Sequence, residues 1–184
     1  MRKKSTKFAP FLVSLLIICL LSACGRQSIT KNEPKTTYKE SQVALYGPYD
    51  VIRVVDGDTV IINLDGTDTR IRILGIDTPE SVAPEESGKT NTDEGTIAST
   101  RAKELLEDTK VYLEYDAEKL DQYDRTLAYV YLEDGEMFEE IMISEGLAKV
   151  VSYKPNNLYS EYFYKLQDAA KDQSKGFWET GFFK

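Results

Sequence analysis

Residues 51–64 read VIRVVDGDTVIINL. Two runs rich in β-branched residues flank a tight Asp-Gly-Asp turn at 56–58, a pattern that predicts two antiparallel strands joined by a short turn. A third apolar run, Arg70–Ile76, carries arginines at alternating positions and leads directly into Asp-Thr-Pro-Glu at 77–80. The two acidic turns, with Arg72 on the strand between them, indicate an oxygen-rich site for a hard cation beside an arginine that binds an anion.

The rest of the domain alternates strand-like and helix-like patterns. Apolar alternation predicts further strands at Lys110–Tyr115 and Leu127–Leu132, and a polar loop is expected at Pro84–Gly95. Helical spacing of apolar residues predicts three helices, at Glu94–Asp108, Met137–Ser144 and Leu158–Lys171. Five strands and three helices in this order predict an α+β, mainly β fold, an OB-type five-stranded barrel with three helices packed on it.

The N-terminal segment has the pattern of an export signal. Basic residues precede the apolar run Phe11–Leu21, which is too short for a comfortable membrane span, and small residues then precede Cys24. We interpret residues 1–23 as a lipoprotein signal peptide with Cys24 lipidated, which would anchor the protein to the outer face of the cell membrane. An ordinary secretory signal cleaved after Ala23 is the alternative, and either one predicts an exported protein.

Residues 24–46 are polar and lack a hydrophobic period, so we expect a flexible tether, with the folded domain at 47–184. The sequence leaves open whether the anchor is retained or the domain is shed. No disulfide is expected within one mature chain, because Cys19 lies in the signal and only Cys24 remains.

Composition limits the chemistry. Histidine is absent, which excludes histidine bases, serine and cysteine triads that use histidine, and zinc sites built on imidazole. Removing residues 1–23, which carry four basic residues and no acidic one, leaves 19 basic and 31 acidic residues, a net charge of −12. So acidic a surface argues against broad, tight adhesion to nucleic acid or anionic lipid.

Asp58, Asp77 and the Thr78 carbonyl are the candidate metal ligands. Both carboxylates stand at strand ends, and Pro79 biases Thr78 towards extended backbone, which leaves its carbonyl available. With water and phosphate oxygens, such a set suits Ca²⁺. The alternative is that Asp58 and Asp77 are turn and cap residues satisfied by backbone N–H groups.

Other candidate residues also have two interpretations each. Arg72, in an apolar strand, would bind phosphate oxygens or form a structural ion pair. Glu80 would accept a proton from water or be an exposed glutamate, and Arg125 would bind phosphate or be a surface charge. Tyr123 and Tyr153 lie near turns, where they would stack on a base or simply pack.

The order of these motifs resembles the staphylococcal (micrococcal) nuclease family, also called thermonucleases, from about Tyr49 to the C-terminus. The segments that carry the resemblance are DGDTV at 56–60, RILGIDTPE at 72–80, YDRTLAY at 123–129, GLAKV at 146–150 and YKPNN at 153–157. The resemblance implies a Ca²⁺-dependent phosphodiesterase on an OB barrel, cutting DNA and RNA to leave 3′-phosphates. Carried over by position, it implies these roles: Asp58, Asp77 and the Thr78 carbonyl on the metal, Glu80 as base, and Arg72 and Arg125 on the phosphate.

The sequence also departs from that family's pattern. Gln122 and Asp124 flank Tyr123 where the family favours lysine and glycine, and the loop after Glu80 is acidic where the family is lysine-rich. Val150–Tyr153 is one residue short and lacks one of two tyrosines. We therefore expect weaker binding of nucleic acid and a steeper demand for Ca²⁺. The leading hypothesis is a monomeric, membrane-tethered nuclease acting on single-stranded DNA and RNA, and the alternatives are a non-catalytic OB-barrel binding module or a Ca²⁺-binding surface lipoprotein.

Overall fold

The computed structural model describes residues 44–81 and 90–184. The predicted signal peptide, Cys24, all but the last residues of the predicted tether, and the first half of the predicted polar loop lie outside the described residues. In the part of the chain that is described, no helix has both the length and the apolar character needed to cross a membrane.

Five strands close into a barrel in the order β1-β2-β3-β6-β5. Neighbouring strands are antiparallel except β3 and β6, which run parallel. Side chains at alternating positions fill the barrel, among them the fully buried Val60, Ile62 and Ile71. This confirms the predicted five-stranded barrel. The described strands are β1 Tyr46–Asp56, β2 Thr59–Leu64, β3 Thr67–Ile73, β4 Ile76–Asp77, β5 Lys110–Glu114, β6 Thr126–Tyr131 and β7 Lys149–Val150.

The predicted third strand, Arg70–Ile76, is wrong as a single element, because the backbone turns at Gly75. Gly75 has a φ of +79°, and a Cβ there would lie 2.5 Å from the Phe163 ring, so both conformation and space favour glycine. Beyond the turn, β4 leaves the barrel and pairs with β7 in a separate two-stranded sheet. The turn is what directs Asp77 back towards the end of β3.

Three α-helices pack with the barrel, as predicted, and their observed ends differ from the predicted ones by no more than two residues. Helix α1 is capped by the Thr92 hydroxyl, which accepts a hydrogen bond from the Gly95 N–H at 2.9 Å. The helices described are α1 Asp93–Leu106, α2 Phe138–Ser144 and α3 Ser160–Asp172, followed by a short 3-10 helix at Gly176–Trp178.

Candidate active site

Gly57 allows the two acidic turns to meet. A Cβ at Gly57 would lie 2.7 to 2.9 Å from three side-chain atoms of Thr78, which is closer than real contacts allow, so only glycine fits without displacing Thr78. Within the first turn, the Asp58 N–H donates to Asp56 Oδ1 at 3.1 Å. The sequence therefore uses glycine here for close approach of two segments that are 20 residues apart.

Asp58 is buried and accepts hydrogen bonds on both carboxylate oxygens. Oδ2 accepts the Thr78 N–H at 3.0 Å and the Thr78 hydroxyl at 3.3 Å. Oδ1 accepts the Thr59 hydroxyl at 3.1 Å and lies 3.1 Å from Arg72 Nη1. The predicted ligands Asp58 and Thr78 are thus in direct contact.

Arg72 joins the two predicted metal carboxylates. Its Nη1 pairs with Asp58, and its Nη2 lies 3.3 Å from Asp77 Oδ1. Nη1 also donates to the carbonyls of Ile73 at 3.0 Å and Asp58 at 3.3 Å. The arginine is mostly buried, whereas the Asp77 side chain is about half exposed. A single guanidinium therefore balances two carboxylates that would otherwise repel each other.

Two further carboxyl groups add negative charge to this cluster. Burial, the charge of Asp58 and, to a smaller extent, the charge of Glu80 raise the pKa of Asp56 to about 6. The backbone of Glu80 is fixed by the start of α1: the Thr92 N–H donates to its carbonyl at 3.0 Å, and a Cβ at Gly95 would lie 2.0 Å from the same oxygen. The acidic groups outnumber the arginine that balances them, an electrostatic environment that favours a bound cation.

The donor set fits a hard cation. Within residues 44–81 and 90–184, no group of three or more Asp, Glu, Cys or His side chains is arranged so that it could hold a metal by itself. A cation here would therefore need Asp58 and Asp77 supplemented by the Thr78 carbonyl, water and substrate oxygens. All of these are oxygen donors, and Ca²⁺ accepts such mixed oxygen sets.

Arg125 is held by Asp121, a residue that the sequence analysis did not single out. Arg125 Nε donates to Asp121 Oδ2 at 2.6 Å, and Asp121 Oδ1 accepts the N–H groups of Tyr123 at 2.8 Å and Arg125 at 2.9 Å. Burial would raise the pKa of Asp121, but these hydrogen bonds outweigh it and hold the pKa below its usual value. Among the described residues, Arg125 makes its charged contact with Asp121 and not with the Asp58–Arg72–Asp77 cluster.

The sheet register nevertheless brings Arg125 close to that cluster. Strand β6 begins one residue after Arg125 and runs parallel to β3, with Leu127 opposite Arg72. A signal for Asp121 was present in the sequence, because an Asp two and four residues before turn N–H groups is typical of an Asx turn. Its contact with Arg125 Nε is visible only in the tertiary structure.

The two predicted substrate-binding tyrosines are both exposed. The Tyr123 ring is 70% exposed and lies 5.6 Å from Arg125 Cζ. Tyr153 is 73% exposed in a turn where it pairs with Asn156. The Asn156 side chain accepts from the Glu118 N–H and donates to the Glu118 carbonyl, both at 2.8 Å. The turn of Tyr153 is thereby attached to the loop that carries Tyr123 and Arg125.

Comparison with known proteins identifies the family. The family model described as staphylococcal nuclease homologue matches residues 70–180. The chain belongs to the staphylococcal nuclease family. It is 43% identical to the thermonuclease of Staphylococcus intermedius over 143 residues, which cover 77% of this chain and 83% of that protein. It is 44% identical to the thermonuclease of Staphylococcus hyicus over 132 residues, covering 72% and 76% of the two chains. Endonuclease YncB of Bacillus subtilis is 31% identical over 195 residues, covering 91% of this chain and 90% of that protein.

Membership of the staphylococcal nuclease family confirms the resemblance seen in the motifs and agrees with the closed barrel. The structure brings Asp58, Arg72, Asp77 and Thr78 together as one cluster. The roles assigned to these residues in metal binding and catalysis stay predictions, which the experiments below test.

Proposed function

We propose that this protein is a Ca²⁺-dependent phosphodiesterase that cuts single-stranded DNA and RNA internally and leaves 3′-phosphates. Membership of the staphylococcal nuclease family supports the coarser statement, a nuclease-type hydrolase whose substrate is nucleic acid. The observation that carries the finer proposal is the bridge that Arg72 makes between Asp58 and Asp77. This bridge joins the candidate metal carboxylates and the arginine proposed to bind phosphate in one contact network.

Asp58, Asp77 and the Thr78 carbonyl would hold Ca²⁺, which when bound supplies polarisation of a phosphoryl oxygen. Thr78 is positioned for this by its N–H and hydroxyl, both of which donate to Asp58. Within this site Glu80 accepts a proton from the attacking water, and its backbone is fixed by the N-terminus of α1.

Two guanidinium groups balance the charge that develops on the phosphate. Arg72 approaches from β3, and Arg125 approaches from the turn that Asp121 organises. Each guanidinium offers N–H donors in a fork that matches phosphate oxygens. Because both are held by carboxylates before substrate arrives, little reorganisation is needed during the reaction.

The export signal and Cys24 support a location outside the cell membrane, with the monomeric domain tethered by lipid. The net charge of −12 on the mature chain supports weak binding to the phosphate backbone and a strong dependence on Ca²⁺. Mass spectrometry of the membrane fraction tests the anchor: lipid on Cys24 is expected, and a free cysteine there would contradict it.

Cleavage of single-stranded DNA tests the activity. The exported chain from residue 25 onward, without lipid, is incubated with Ca²⁺ or with chelator, beside Glu80→Ser, Arg125→Ala and Asp58→Ala. We expect cleavage only with Ca²⁺ and its loss in Glu80→Ser and Arg125→Ala, which should still show a Ca²⁺-induced rise in melting temperature. Unchanged cleavage by Asp58→Ala would show that the metal site is wrongly assigned.

A matched control is Glu118→Ala, which removes an exposed acid outside the site. Glu118 contacts Asn156 only through its backbone N–H and carbonyl, so its side chain can be shortened without breaking those bonds. Wild-type protein that binds Ca²⁺ but cuts nothing would favour the non-catalytic binding module, the alternative that the acidic surface supports.

A further inference from the structure

Two tyrosines and a lysine form a cluster outside the candidate active site, here called the tyrosine platform: Tyr46, Tyr115 and Lys119. The ring centroids of Tyr46 and Tyr115 lie 5.1 Å apart, with an angle of 56° between the planes. Lys119 Nζ lies 4.5 Å from the Tyr115 centroid and 5.6 Å from that of Tyr46. Tyr46 is 44% exposed and Lys119 is exposed, whereas Tyr115 is partly buried against the core. The Tyr46 ring and Lys119 are therefore the parts of the platform that solvent reaches.

Two members of the tyrosine platform, Tyr115 and Lys119, lie in the same loop as Arg125, and Tyr46 is the first residue of β1. Tyr115 directly follows β5, and the loop ends at Arg125, just before β6. Inside the loop the chain folds back on itself: the Leu127 N–H donates to the Lys119 carbonyl at 2.8 Å, and the Asp121 N–H donates to the Arg125 carbonyl at 3.0 Å.

This pairing determines where Lys119 lies relative to Arg125. Leu120 pairs with Thr126 as an antiparallel bridge, so Lys119 and Arg125 are diagonal neighbours across the fold. Diagonal neighbours in such a pair have backbones roughly 7–8 Å apart. Lys119 lies opposite Leu127 in this pairing, and Leu127 is two positions from Arg125. Because residues two positions apart on a strand share a face, Lys119 and Arg125 lie on the same side of the loop. A strand bound at Arg125 can therefore continue onto the tyrosine platform.

We propose that the tyrosine platform binds an unpaired nucleotide of the single-stranded substrate, away from the bond that is cut. The base stacks on the exposed Tyr46 ring, which Tyr115 supports from the side, and Lys119 contacts the adjacent phosphate. Aromatic rings accept any base, because every base has a flat face. A duplex would be excluded, since its bases already stack on each other. The position of the scissile bond in this inference rests on the proposed function.

The composition gives a reason for such a site. Gln122 and Asp124 beside Tyr123 supply no positive charge, and the mature chain carries a net charge of −12, so phosphate contacts alone bind weakly. Stacking depends much less on net charge. The tyrosine platform thus supplies affinity of a kind that an acidic nuclease still has available.

Binding in chelator, where no cutting occurs, tests the site. The mature chain from residue 25 onward is titrated into fluorescein-labelled oligothymidylate of about 12 nucleotides, within the range that one OB fold covers, and into a labelled dinucleotide. We expect Tyr46→Ala to weaken binding of the longer strand by about 5- to 150-fold, the range for losing one stacked base, with Lys119→Gln in the same direction and Tyr46→Phe near wild type. Binding of the dinucleotide should not change.

Tyr164→Ala is the matched control, because Tyr164 on α3 is 43% exposed, almost the same fraction as Tyr46. The inference is overturned if Tyr46→Ala binds the longer strand as wild type does, or if Tyr164→Ala loses as much affinity as Tyr46→Ala. If the contact between Lys119 and the rings only stabilised the fold, Tyr46→Ala and Lys119→Gln would lower the melting temperature. They would not then weaken binding of the longer strand more than binding of the dinucleotide.

Cleavage with Ca²⁺ separates this inference from the proposed function. We expect Tyr46→Ala to raise KM for the longer strand while kcat stays at the wild-type value. Length-dependent binding at Tyr46 without any cleavage would leave the tyrosine platform standing and overturn the nuclease proposal. Cleavage with an unchanged KM in Tyr46→Ala would overturn the tyrosine platform alone.

Discussion

Replacing Asp121 by alanine should slow cleavage by releasing Arg125. The Asp121 carboxylate accepts three hydrogen bonds within its own turn: from the Tyr123 N–H at 2.8 Å, the Arg125 N–H at 2.9 Å and Arg125 Nε at 2.6 Å. Alanine removes all three, so the turn loses its internal support and the guanidinium loses its direction. Asp121 touches no substrate in this scheme and acts by positioning Arg125.

The magnitude follows from the Nε contact. A hydrogen bond between charged groups contributes about 1.5–3 kcal/mol when shielded, but the Arg125 side chain is 35% exposed, and solvent screening reduces the value. A loss of about 1–2 kcal/mol in transition-state stabilisation corresponds to a decrease in kcat of roughly 5- to 30-fold. The turn lies at the surface, where water replaces the lost partners, so the free energy of unfolding should fall by only about 1 kcal/mol.

The pH dependence has a defined sign. Burial would raise the pKa of Asp121, yet hydrogen bonds from Arg125 and Tyr123 lower it overall. A carboxyl group whose folded-state pKa is depressed stabilises the turn above its ordinary pKa, and that stabilisation disappears as pH falls through the lowered value. The positioning effect should therefore be complete at neutral pH.

A double-mutant cycle on initial rates of single-strand cleavage is the assay, using wild type, Asp121→Ala, Arg125→Ala and the double variant. Because Asp121 acts through Arg125, the double variant should be no slower than Arg125→Ala. Glu118→Ala makes the same charge change in the same loop and should leave the rate unchanged. Additive losses in the double variant, or an equal loss in Glu118→Ala, would refute the positioning role.

Three further predictions concern the acidic turn and the core. Burial and the charge of Asp58 raise the pKa of Asp56 from 3.8 to about 6, so the free energy of unfolding falls as pH rises through that range. In urea titrations near pH 8 without Ca²⁺, Asp56→Asn should therefore be more stable than wild type by about 1–2 kcal/mol. Equal stability of the two proteins at that pH would contradict the raised pKa. The added methyl group of Gly57→Ala should clash with Thr78 and lower the free energy of unfolding by about 1–3 kcal/mol. The same variant should need more Ca²⁺ for half-maximal cleavage in a Ca²⁺ titration. Wild-type stability together with a wild-type Ca²⁺ requirement would show that Thr78 can move. Burial raises the pKa of Glu139 well above its usual value, and the Glu139 carboxyl group accepts the Val130 N–H at 3.1 Å. The stability that Glu139 contributes is therefore full at acid pH and is lost as pH rises through the raised pKa. In urea titrations across pH, Glu139→Gln should make the free energy of unfolding fall less with rising pH, and an unchanged fall would exclude Glu139 as its cause.

Local pattern was sufficient for most elements of the fold. The alternation in residues 51–64 predicted strands that the structure contains, and helical spacing placed the ends of α1, α2 and α3 within two residues. Pattern failed at Gly75, where an apolar run continues without a break although the backbone turns. The Phe163 ring, which leaves no room for a Cβ at Gly75, lies 88 positions further along the chain, where no local pattern connects it to the turn.

The candidate site was predicted as residue types but not as contacts. Asp58, Asp77 and Arg72 were recognised from acidic turns and an arginine in an apolar strand, and the structure places Arg72 between the two carboxylates. The role of Asp121 was missed: its spacing before the N–H groups of Tyr123 and Arg125 is typical of an Asx turn, but its contact with Arg125 Nε is visible only in the fold. Glu80 was selected from its motif. The hydrogen bond from the Thr92 N–H to the Glu80 carbonyl joins residues that are distant in sequence, so it could be seen only in the structure.

The sequence by itself determined the class of this protein. Binary patterning specified a small barrel with three helices, the motif order specified the family, and the absence of histidine restricted the chemistry to carboxylates, arginines and a metal. Only the tertiary structure decided which groups meet: the close approach of Gly57 to Thr78, the bridge through Arg72, and the hold of Asp121 on Arg125. The physical reason is that periodicity reports which side of an element is buried, whereas distances between charged groups depend on strand register and on backbone turns that sequence patterns do not encode.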